Sequence, residues 1–532
     1  MKLSFYGADR AVTGSCHCLD VGDSRVLVDC GLQQGRDEIE ENALPFAAGG
    51  VDAVLVTHAH IDHSGRLPLL VKQGYTGPIF CSRLTAELLA IMLRDSAHIQ
   101  ESDAEFDNRK AQRAGRPMRE PLYTMADAEA AIALLVKFEY GQEFEAAPGV
   151  RVRFADAGHL LGSSYAEVWA TENGVTKKLV FSGDIGNVNQ PVICNPTLIR
   201  DADLVVMEST YGDRNHDIVE FDHAARLAEV FDRTLGRGGN VIIPSFAVGR
   251  TQELLYFIRE IKAQGLVHSV PNFPVYVDSP LAREATRIFA GDLTGYIDEE
   301  ARDLVDDGIR LFTFDGLNLC TTSDESKALN LDPTPKVIIS ASGMCDAGRI
   351  RHHLKHNLWR ADSSVVFVGY QAQGSLGRRI LDGAAEVKLL GETIAVKAEI
   401  LRFPGLSSHA DHDHLLEWIH AFEPKPQHVF VVHGDTDVAP AFAEELGREG
   451  FSAHAPKYCE EYDLAAMRIT AEGQEQIRKP KDGGFKDSPA FTALVELGRK
   501  LMDVIRRNRG VANRDLRLFG AEIQSLIDKW SR

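Results

Sequence analysis

Cysteine is scarce in this 532-residue sequence, and no Cys-x-x-Cys pair occurs. The eight cysteines are Cys16, Cys18, Cys30, Cys81, Cys194, Cys320, Cys345 and Cys459. Their dispersal is typical of reduced thiols and not of a disulfide framework. Cys16 and Cys18 flank a histidine, but the stretch reads as a strand with no further ligands nearby, which argues against a separate metal site.

Long apolar runs are also lacking. No stretch reaches the roughly 18 consecutive apolar residues of a membrane helix, so we expect no membrane span. The first 22 residues contain no basic segment followed by an apolar one. We therefore expect no secretory signal and a cytoplasmic protein.

Positive charge is in deficit. The chain has 58 Lys and Arg against 77 Asp and Glu, a formal net charge of −19. Proteins that coat nucleic acid contact phosphates through many basic side chains, so the charge balance argues against that class. It does not exclude a nuclease, because a locally basic cleft and bound cations can outweigh a distant acidic surface.

The chain is long enough for several domains. Short β-type runs separated by glycine turns fill residues 1–60. A helical pattern begins near Leu84, and we predict a further helix from Met125 to Phe138. Strands return at 150–158, 177–186 and 202–210. This order indicates one half of an α/β sandwich.

From about 210 to 395 the pattern changes to alternating strands and helices. Continuous apolar strands occur at 240–245, 274–280, 336–343 and 363–371, with a helix at 251–265 after the first. Such strands predict a parallel sheet covered on both faces, which we interpret as a separate, inserted domain. The strands at 399–405 and 428–435 are interpreted as a return to the first domain.

The C-terminal segment differs in charge. Residues 475–532 contain 13 Lys and Arg against 8 Asp and Glu, and RKPKDGG at 478–484 predicts a linker. Beyond the linker, apolar residues at 491–505 and 523–530 lie on helical faces too small to form a core alone. We predict that this helical tail mediates homodimerisation. Packing on the first domain and RNA binding by its arginines (Arg506, Arg507, Arg509, Arg514 and Arg517) stay open as alternatives.

The strongest functional signal is VTHAHIDHSG at 56–65, directly after an apolar strand. It supplies His58, His60, Asp62 and His63. Imidazole and carboxylate groups suit a borderline divalent cation such as zinc. Extended backbone would place His58 and His60 on one side, and a turn at Ile61 would bring the other two towards a second ion. This density of ligand-type side chains favours a metal site over a histidine-rich turn.

Three further candidate ligands come after apolar runs and just before glycines. They are His159 in FADAGHLLGSS, Asp184 in FSGDIG and His433 in VFVVHGD. Asp29, at the end of RVLVDCG, is a candidate carboxylate to orient a ligand imidazole. The alternative for Asp29 is a turn-forming residue before glycine.

These motifs together resemble the metallo-β-lactamase superfamily over residues 1–210 and 398–465, and 210–395 resembles the β-CASP domain. Glu208 in VVMESTYGDR, His409 in GLSSHADHDHL and His433 match three further β-CASP motifs. The set is similar to the RNA-processing β-CASP nucleases, a group that includes RNase J and the endonuclease subunit of the eukaryotic pre-mRNA cleavage and polyadenylation machinery. Two departures, SSHAD for the commoner Ser-Ala/Gly-His and HGD for HGE, remove no ligand.

The resemblance implies an α/β fold: a metallo-β-lactamase αββα sandwich (1–207 and 398–465) with an inserted parallel-sheet β-CASP domain (208–397) and a helical tail (475–532). It also implies two zinc ions per chain, with Mn²⁺ as an alternative metal. His58, His60 and His159 would hold the first ion and Asp62, His63 and His433 the second, with Asp184 bridging both.

The resemblance further implies a phosphodiesterase whose catalytic residues are Glu208, His409 and Asp62. A water between the two metal ions would be the nucleophile, and His409 would act as general acid with Glu208 orienting it. A structural ion pair between two domains is the alternative for Glu208 and His409. Arg250, at a predicted helix start, and Arg349, in a glycine-rich segment, are candidate contacts for RNA phosphates. Three histidines at helical spacing (His352, His353 and His356) are interpreted as packed or solvated and not as ligands.

We therefore expect a zinc-dependent ribonuclease that acts on single-stranded RNA and leaves 5′-phosphate and 3′-hydroxyl ends. Endonucleolytic cleavage is favoured, with 5′→3′ exonuclease activity as an addition. A DNA-acting nuclease is less favoured, because the DNA-acting branch of the family lacks a histidine at position 433. A hydrolase of thioesters, lactams or other esters needs no inserted domain, and a non-enzymatic RNA-binding subunit would not need a full ligand set.

Overall fold

The computed structural model of the chain describes residues 1–37, 43–216, 222–403, 405–476, 519–524 and 529. The chain divides into two compact units, Met1–Ile477 and Arg478–Arg532. In the second unit, 519–524 is helical. The predicted linker at 478–484, the apolar face at 491–505 and most of the face at 523–530 lie outside the described residues.

The strands have the following bounds: β1 (Lys2–Phe5), β2 (His17–Val21), β3 (Ser24–Val28), β4 (Ala53–Leu55), β5 (Ile79–Ser82), β6 (Leu135–Phe138), β7 (Glu143–Ala147), β8 (Val150–Asp156), β9 (Ser164–Glu172), β10 (Val175–Phe181), β11 (Leu204–Met207), β12 (Val241–Pro244), β13 (Val275–Val277), β14 (Leu317–Leu319), β15 (Val337–Ser340), β16 (Ser364–Phe367), β17 (Glu386–Leu389), β18 (Glu392–Ala395), β19 (Glu399–Arg402), β20 (His428–Val431), β21 (Ala453–His454), β22 (Glu461–Asp463) and β23 (Arg468–Ala471).

The α-helices have the following bounds: α1 (Ile61–Ser64), α2 (Leu67–Lys72), α3 (Arg83–Ala114), α4 (Met125–Ile132), α5 (His223–Gly236), α6 (Arg250–Gln264), α7 (Pro280–Phe289), α8 (Glu299–Asp306), α9 (Ser323–Leu331), α10 (Ile350–Asn357), α11 (Leu376–Leu381), α12 (His412–His420) and α13 (Val438–Arg448). None of the described helices has the length and apolarity that crossing a membrane requires.

Two sheets form the sandwich that the sequence predicts. The first has eight strands in the order β23-β22-β1-β2-β3-β4-β5-β6, and the second has seven in the order β21-β20-β11-β10-β9-β8-β7. Buried apolar side chains such as Leu3, Phe5, Val152 and Phe430 form a core between the two sheets. Helices α2, α3 and α4 contribute to a core with the first sheet. Helices α12 and α13 pack with strands of the second sheet. The layers are therefore helix, sheet, sheet, helix.

The inserted segment builds a third sheet with six strands in the order β14-β13-β15-β12-β16-β19. Each neighbouring pair runs parallel. The central strands, such as VIIP in β12 and VIIS in β15, are buried along their full length. This confirms the prediction of a parallel sheet covered on both faces.

Two local predictions are wrong. Helix α4 ends at Ile132, and 135–138 forms strand β6, because its backbone pairs in parallel with β5 at the edge of the first sheet. The strand Glu399–Arg402, interpreted as a return to the first domain, instead pairs with β16 and closes the third sheet. Strand β20 does join the first domain, beside β11. The domain bounds as a whole stay a prediction.

Candidate metal centre

The loop after β4 carries the first candidate ligands. Residues 56–60 leave the sheet, and helix α1 begins at Ile61, the turn that the sequence predicts. The Ser64 hydroxyl stabilises this turn by donating to the carbonyl oxygens of Ala59 and His60 at 3.2 and 2.9 Å. His58 and His63 are both buried.

Asp184 lies between two groups of histidines. It follows β10, and its side chain is 2% exposed. One oxygen, Oδ2, lies 3.4 Å from Nε2 of both His58 and His159. The other oxygen, Oδ1, lies 3.1 Å from His63 Nε2 and 3.6 Å from His433 Nε2. The carboxylate therefore faces both groups, one oxygen to each.

The donor atoms form sets compact enough to hold a cation. His58, His60, His159 and Asp184 make one set, and Asp62, His63 and His433 make another, with the donor atoms in each set within 4.8 Å of one another. Asp184, Glu208 and His433 meet the same criterion, but Glu208 is engaged by backbone amides. The first two sets have the membership that the resemblance implies.

Nitrogen atoms face one another inside each set. His58 Nε2 lies 3.1 Å from His60 Nδ1, and His63 Nε2 lies 3.1 Å from His433 Nε2. Buried Asp184 Oδ1 has no hydrogen-bond partner. A cation in each set would let every one of these atoms donate a lone pair, so the residues fit divalent metal ions.

The protonation of the imidazoles agrees with this fit. Burial lowers the pKa of His58 and His159, and it lowers that of His60 to about 3. These three rings are therefore neutral near pH 7 and available as ligands. Burial also disfavours the charged form of His63, but the carboxylates of Asp184 and Asp29 outweigh it and raise the pKa. A positive charge is thus stabilised at this point in the site.

The outer nitrogens of four candidate ligands are also engaged. His63 Nδ1 lies 2.7 Å from Asp29 Oδ2. His58 Nδ1 lies 3.2 Å from Thr57 Oγ1, and His159 Nδ1 lies 3.1 Å from the carbonyl oxygen of Ser408. His433 Nδ1 lies 3.1 Å from Thr210 Oγ1. Such contacts fix the tautomer and orientation of a ligand imidazole.

Asp29 and His433 share an unusual backbone conformation. Their φ angles are +62° and +49°, in the left-handed region that side chains other than glycine seldom adopt. Each follows a buried strand, β3 and β20 respectively. The strained turn redirects the chain so that the side chain faces the cluster, and such strain is concentrated at functional sites.

His409 and Glu208 form a pair at the edge of the cluster. His409 Nδ1 lies 3.2 and 3.3 Å from the two Glu208 oxygens, and its Nε2 lies 3.9 Å from Asp184 Oδ2. Glu208 is fully buried, whereas His409 is 22% exposed. Burial disfavours the charged imidazole, but the Glu208 and Asp184 carboxylates outweigh it and raise the pKa of His409 to about 9. His409 therefore holds a proton near pH 7.

Family models match three consecutive parts of the chain. The metallo-β-lactamase superfamily model matches residues 10–224. The Beta-Casp domain model matches 251–380, and the model of the Zn-dependent metallo-hydrolase RNA specificity domain matches 393–456.

Several relatives match over most of their length. A protein named ribonuclease TTHA0252, from Thermus thermophilus, is 39% identical over 451 residues, covering 85% of this chain and 97% of the relative. A protein named transcription termination factor FttA, from Methanocaldococcus jannaschii, is 31% identical and covers 84% and 69%. Its namesake from Methanothermobacter thermautotrophicus is 32% identical and covers 82% and 67%. The chain belongs to the β-CASP branch of the metallo-β-lactamase superfamily.

The His/Asp cluster is the candidate metal-binding site of this β-CASP protein. All of the predicted ligand residues meet in it, and Asp29, Glu208 and His409 lie in direct contact with it. Among the described residues, no group of potential metal ligands includes Cys16, Cys18 or the three helix histidines.

The two candidate phosphate contacts are placed outside the cluster. Arg250 begins α6 and pairs with Glu253 within the same helix. Arg349 pairs with buried Asp278 at 2.7 Å and is 21% exposed. Both arginines are thus oriented by a carboxylate, and their contact with RNA stays a prediction.

Two residues not predicted from the sequence support ligand histidines: Thr210 contacts His433, and Ser408 contacts His159. Thr210 could have been found, because it is a polar residue two positions after Glu208. For Ser408 the contact is made by a carbonyl oxygen, which every residue type has, so the residue identity carries no signal.

Proposed function

We propose that this β-CASP protein is a zinc-dependent ribonuclease that hydrolyses phosphodiester bonds of single-stranded RNA to 5′-phosphate and 3′-hydroxyl ends. The observation that carries the proposal is the position of Asp184. Its two oxygens face two separate donor sets, and one of them lies 3.9 Å from Nε2 of His409, a histidine whose pKa the Glu208 and Asp184 carboxylates raise. Two-metal sites with an adjacent acid are suited to phosphoryl displacement.

The metal content we propose is two zinc ions per chain, with Mn²⁺ as an alternative. His58, His60 and His159 would hold one ion and Asp62, His63 and His433 the other, with Asp184 shared. Mixed imidazole and carboxylate donors suit zinc. When bound, the ions would lower the pKa of water and neutralise charge on the phosphate.

The chain's own residues supply the rest of the chemistry. His409 Nε2 is the proton donor to the departing ribose 3′-oxygen, because this atom points at the cluster while Nδ1 is engaged by Glu208. Glu208 holds the ring in place and charged, and is itself fixed by the backbone amide of Ile185 at 2.6 Å. After transfer the imidazole is neutral and must recover a proton from solvent, which its partial exposure permits.

RNA is favoured as the substrate by two findings. One relative that this chain spans almost fully is named a ribonuclease, and the matched model at 393–456 describes an RNA specificity domain. That segment includes His409 and His433. The alternatives of a DNA substrate or a smaller ester have no comparable support.

Cleavage of matched oligonucleotides tests the proposal. The zinc-loaded protein is incubated with single-stranded RNA, and with DNA of the same sequence, each labelled once at the 5′ and once at the 3′ end. We expect RNA products with 5′-phosphate and 3′-hydroxyl ends, and little cleavage of DNA. Labelled fragments of intermediate length from both the 5′-labelled and the 3′-labelled RNA indicate endonucleolytic cutting. Release of a labelled mononucleotide from the 5′-labelled RNA indicates 5′→3′ exonuclease activity. Preferential cleavage of DNA, or hydrolysis of a thioester with intact RNA, would contradict it.

A further inference from the structure

Two large aromatic side chains are exposed at one edge of the inserted sheet. Phe246 is 48% exposed and Tyr370 is 55% exposed. Phe246 follows β12 and Tyr370 follows β16, and these two strands are parallel neighbours. Both aromatics therefore lie beyond the carboxyl ends of parallel strands, where open α/β sheets bind their ligands.

The two loops converge on Gly343, which follows the neighbouring strand β15. A Cβ atom added at Gly343 would lie 3.3 Å from the Phe246 ring, so the ring packs directly over this glycine. The side chain of Gln371, next to Tyr370, is buried and donates to the Gly343 carbonyl oxygen at 3.0 Å. A larger residue at 343 would displace the phenylalanine ring.

The loop that carries Phe246 is held rigidly. Buried Thr251 donates its hydroxyl hydrogen to the Phe246 carbonyl oxygen at 2.7 Å. The side chain of Gln252 spans the rest of the loop, accepting from the amide of Gly249 at 2.8 Å and donating to the carbonyl oxygen of Ala247 at 3.1 Å. Exposing an aromatic ring on a fixed backbone lowers the entropic cost of binding.

The same loop packs against Leu160, the residue next to the candidate ligand His159. A Cβ atom at Gly249 would lie 3.0 Å from Leu160 Cδ1. Leu160 directly follows His159, whose Nε2 faces Asp184. The loop of Phe246 thus packs, three residues further along at Gly249, against the residue that follows the candidate ligand His159.

We propose that Phe246 and Tyr370 form a stacking platform for bases of single-stranded RNA next to the scissile phosphate. This inference rests on the proposed function. Each base has an apolar face of the size of these rings, and stacking is tolerant of sequence because all four bases have such a face. The platform holds the strand through its bases, while the charged groups of the cluster engage the phosphate.

The experiment compares zinc-loaded wild type with the double variant Phe246→Ala/Tyr370→Ala on a short single-stranded RNA of uniform sequence. Stacking of this kind predicts an increase in KM of roughly 5- to 100-fold with little change in kcat. The variants Phe246→Tyr and Tyr370→Phe, which keep the rings, should retain the wild-type KM. Trp359→Ala removes an aromatic side chain of 55% exposure elsewhere on the inserted domain and should change nothing.

An abasic substrate distinguishes stacking from a structural effect. RNAs in which one nucleotide near the cleaved bond lacks its base are assayed with both proteins. At the contacted position, removal of the base should raise KM for the wild type and not raise it further for the double variant. If the double variant raises KM equally for intact and for every abasic RNA, or if its KM for intact RNA is unchanged, the proposed stacking platform is wrong. The proposed ribonuclease activity would be unaffected by either result. If the wild type cleaves no RNA, the proposed function and this inference fall together.

Discussion

His159 Nδ1 lies 3.1 Å from the carbonyl oxygen of Ser408, 249 residues further along the chain. Its Nε2 lies 3.4 Å from Asp184. One imidazole thus links the metal-binding cluster to the loop of His409. The loop is joined to the Asp184 segment as well, since Ala410 donates its amide hydrogen to the Ile185 carbonyl at 2.8 Å and Asn187 to that of Ser408 at 3.0 Å. The candidate acid His409 and the candidate metal-binding cluster are therefore positioned by the same backbone contacts.

Replacing Asp184 by Ala should lower both zinc content and activity, because both donor sets lose the carboxylate that faces them. Zinc per chain is measured by elemental mass spectrometry after dialysis, and cleavage on labelled RNA. Glu208→Gln is the control for metal content, because it changes a neighbouring buried carboxylate that is not one of the proposed ligands. This variant should keep the wild-type zinc content. Full zinc content and normal cleavage in the Asp184 variant would show that the ligand assignment is wrong.

Replacing His409 by Ala should keep the metals and the fold but slow cleavage by roughly 10²- to 10⁴-fold, the usual contribution of a general acid. A substrate with an activated leaving group needs no proton, so its hydrolysis should slow far less. His412→Ala is the matched control, because His412 lies in the next helix and contacts Glu445 and not the cluster. If the two substrates slow equally, His409 has a positioning role and the acid lies elsewhere.

Replacing Asp29 by Asn should weaken metal binding about 10- to 100-fold, as is typical when the carboxylate behind a ligand histidine is lost. Asp29 accepts from His63, from the Thr57 amide at 2.9 Å and from the Ser15 hydroxyl at 3.1 Å, which an amide cannot reproduce. The measurement is zinc retention against a titrated chelator. Asp20→Asn, which removes a carboxylate paired with Arg25 in the same sheet, should leave retention unchanged.

Deleting residues 480–532 should convert a dimer into a monomer if the tail mediates self-association, as we predict. Light scattering of the full and shortened chains gives the mass. An unchanged mass would rule out the tail as the main association element. If the mass is unchanged and the shortened chain binds RNA more weakly, the result would instead support RNA binding by the arginines of the tail.

Much of the fold could be predicted from the period of the apolar residues. The parallel third sheet was readable because continuous Val/Ile strands such as 337–340 alternate with helices. The strand at 135–138 could not be predicted, because its four residues continue an apolar helical pattern. Only its pairing with β5 makes it a strand. Which sheet the strand 399–402 joins is likewise decided by its partner β16 and not by its own residues.

The candidate site was more predictable than the fold around it. Metal binding requires particular side chains, so residue type and spacing alone identify candidate ligands such as His58, His60, Asp62 and His63. The supporting contacts are less visible. The contact of the Ser408 carbonyl oxygen cannot be predicted from the sequence, because every residue has such an oxygen. The position of the Phe246 ring depends on packing over Gly343, 97 residues away.

The left-handed backbone at His433 has a consequence for engineering. A non-glycine residue at a φ of +49° costs about 1–2 kcal/mol relative to a relaxed backbone. Glycine at 433 would relieve that cost and remove a nitrogen donor from the cluster. Selection of variants for thermal stability alone would thus favour glycine at this position, at the expense of a candidate metal ligand. A library screened there should include turnover as a second criterion.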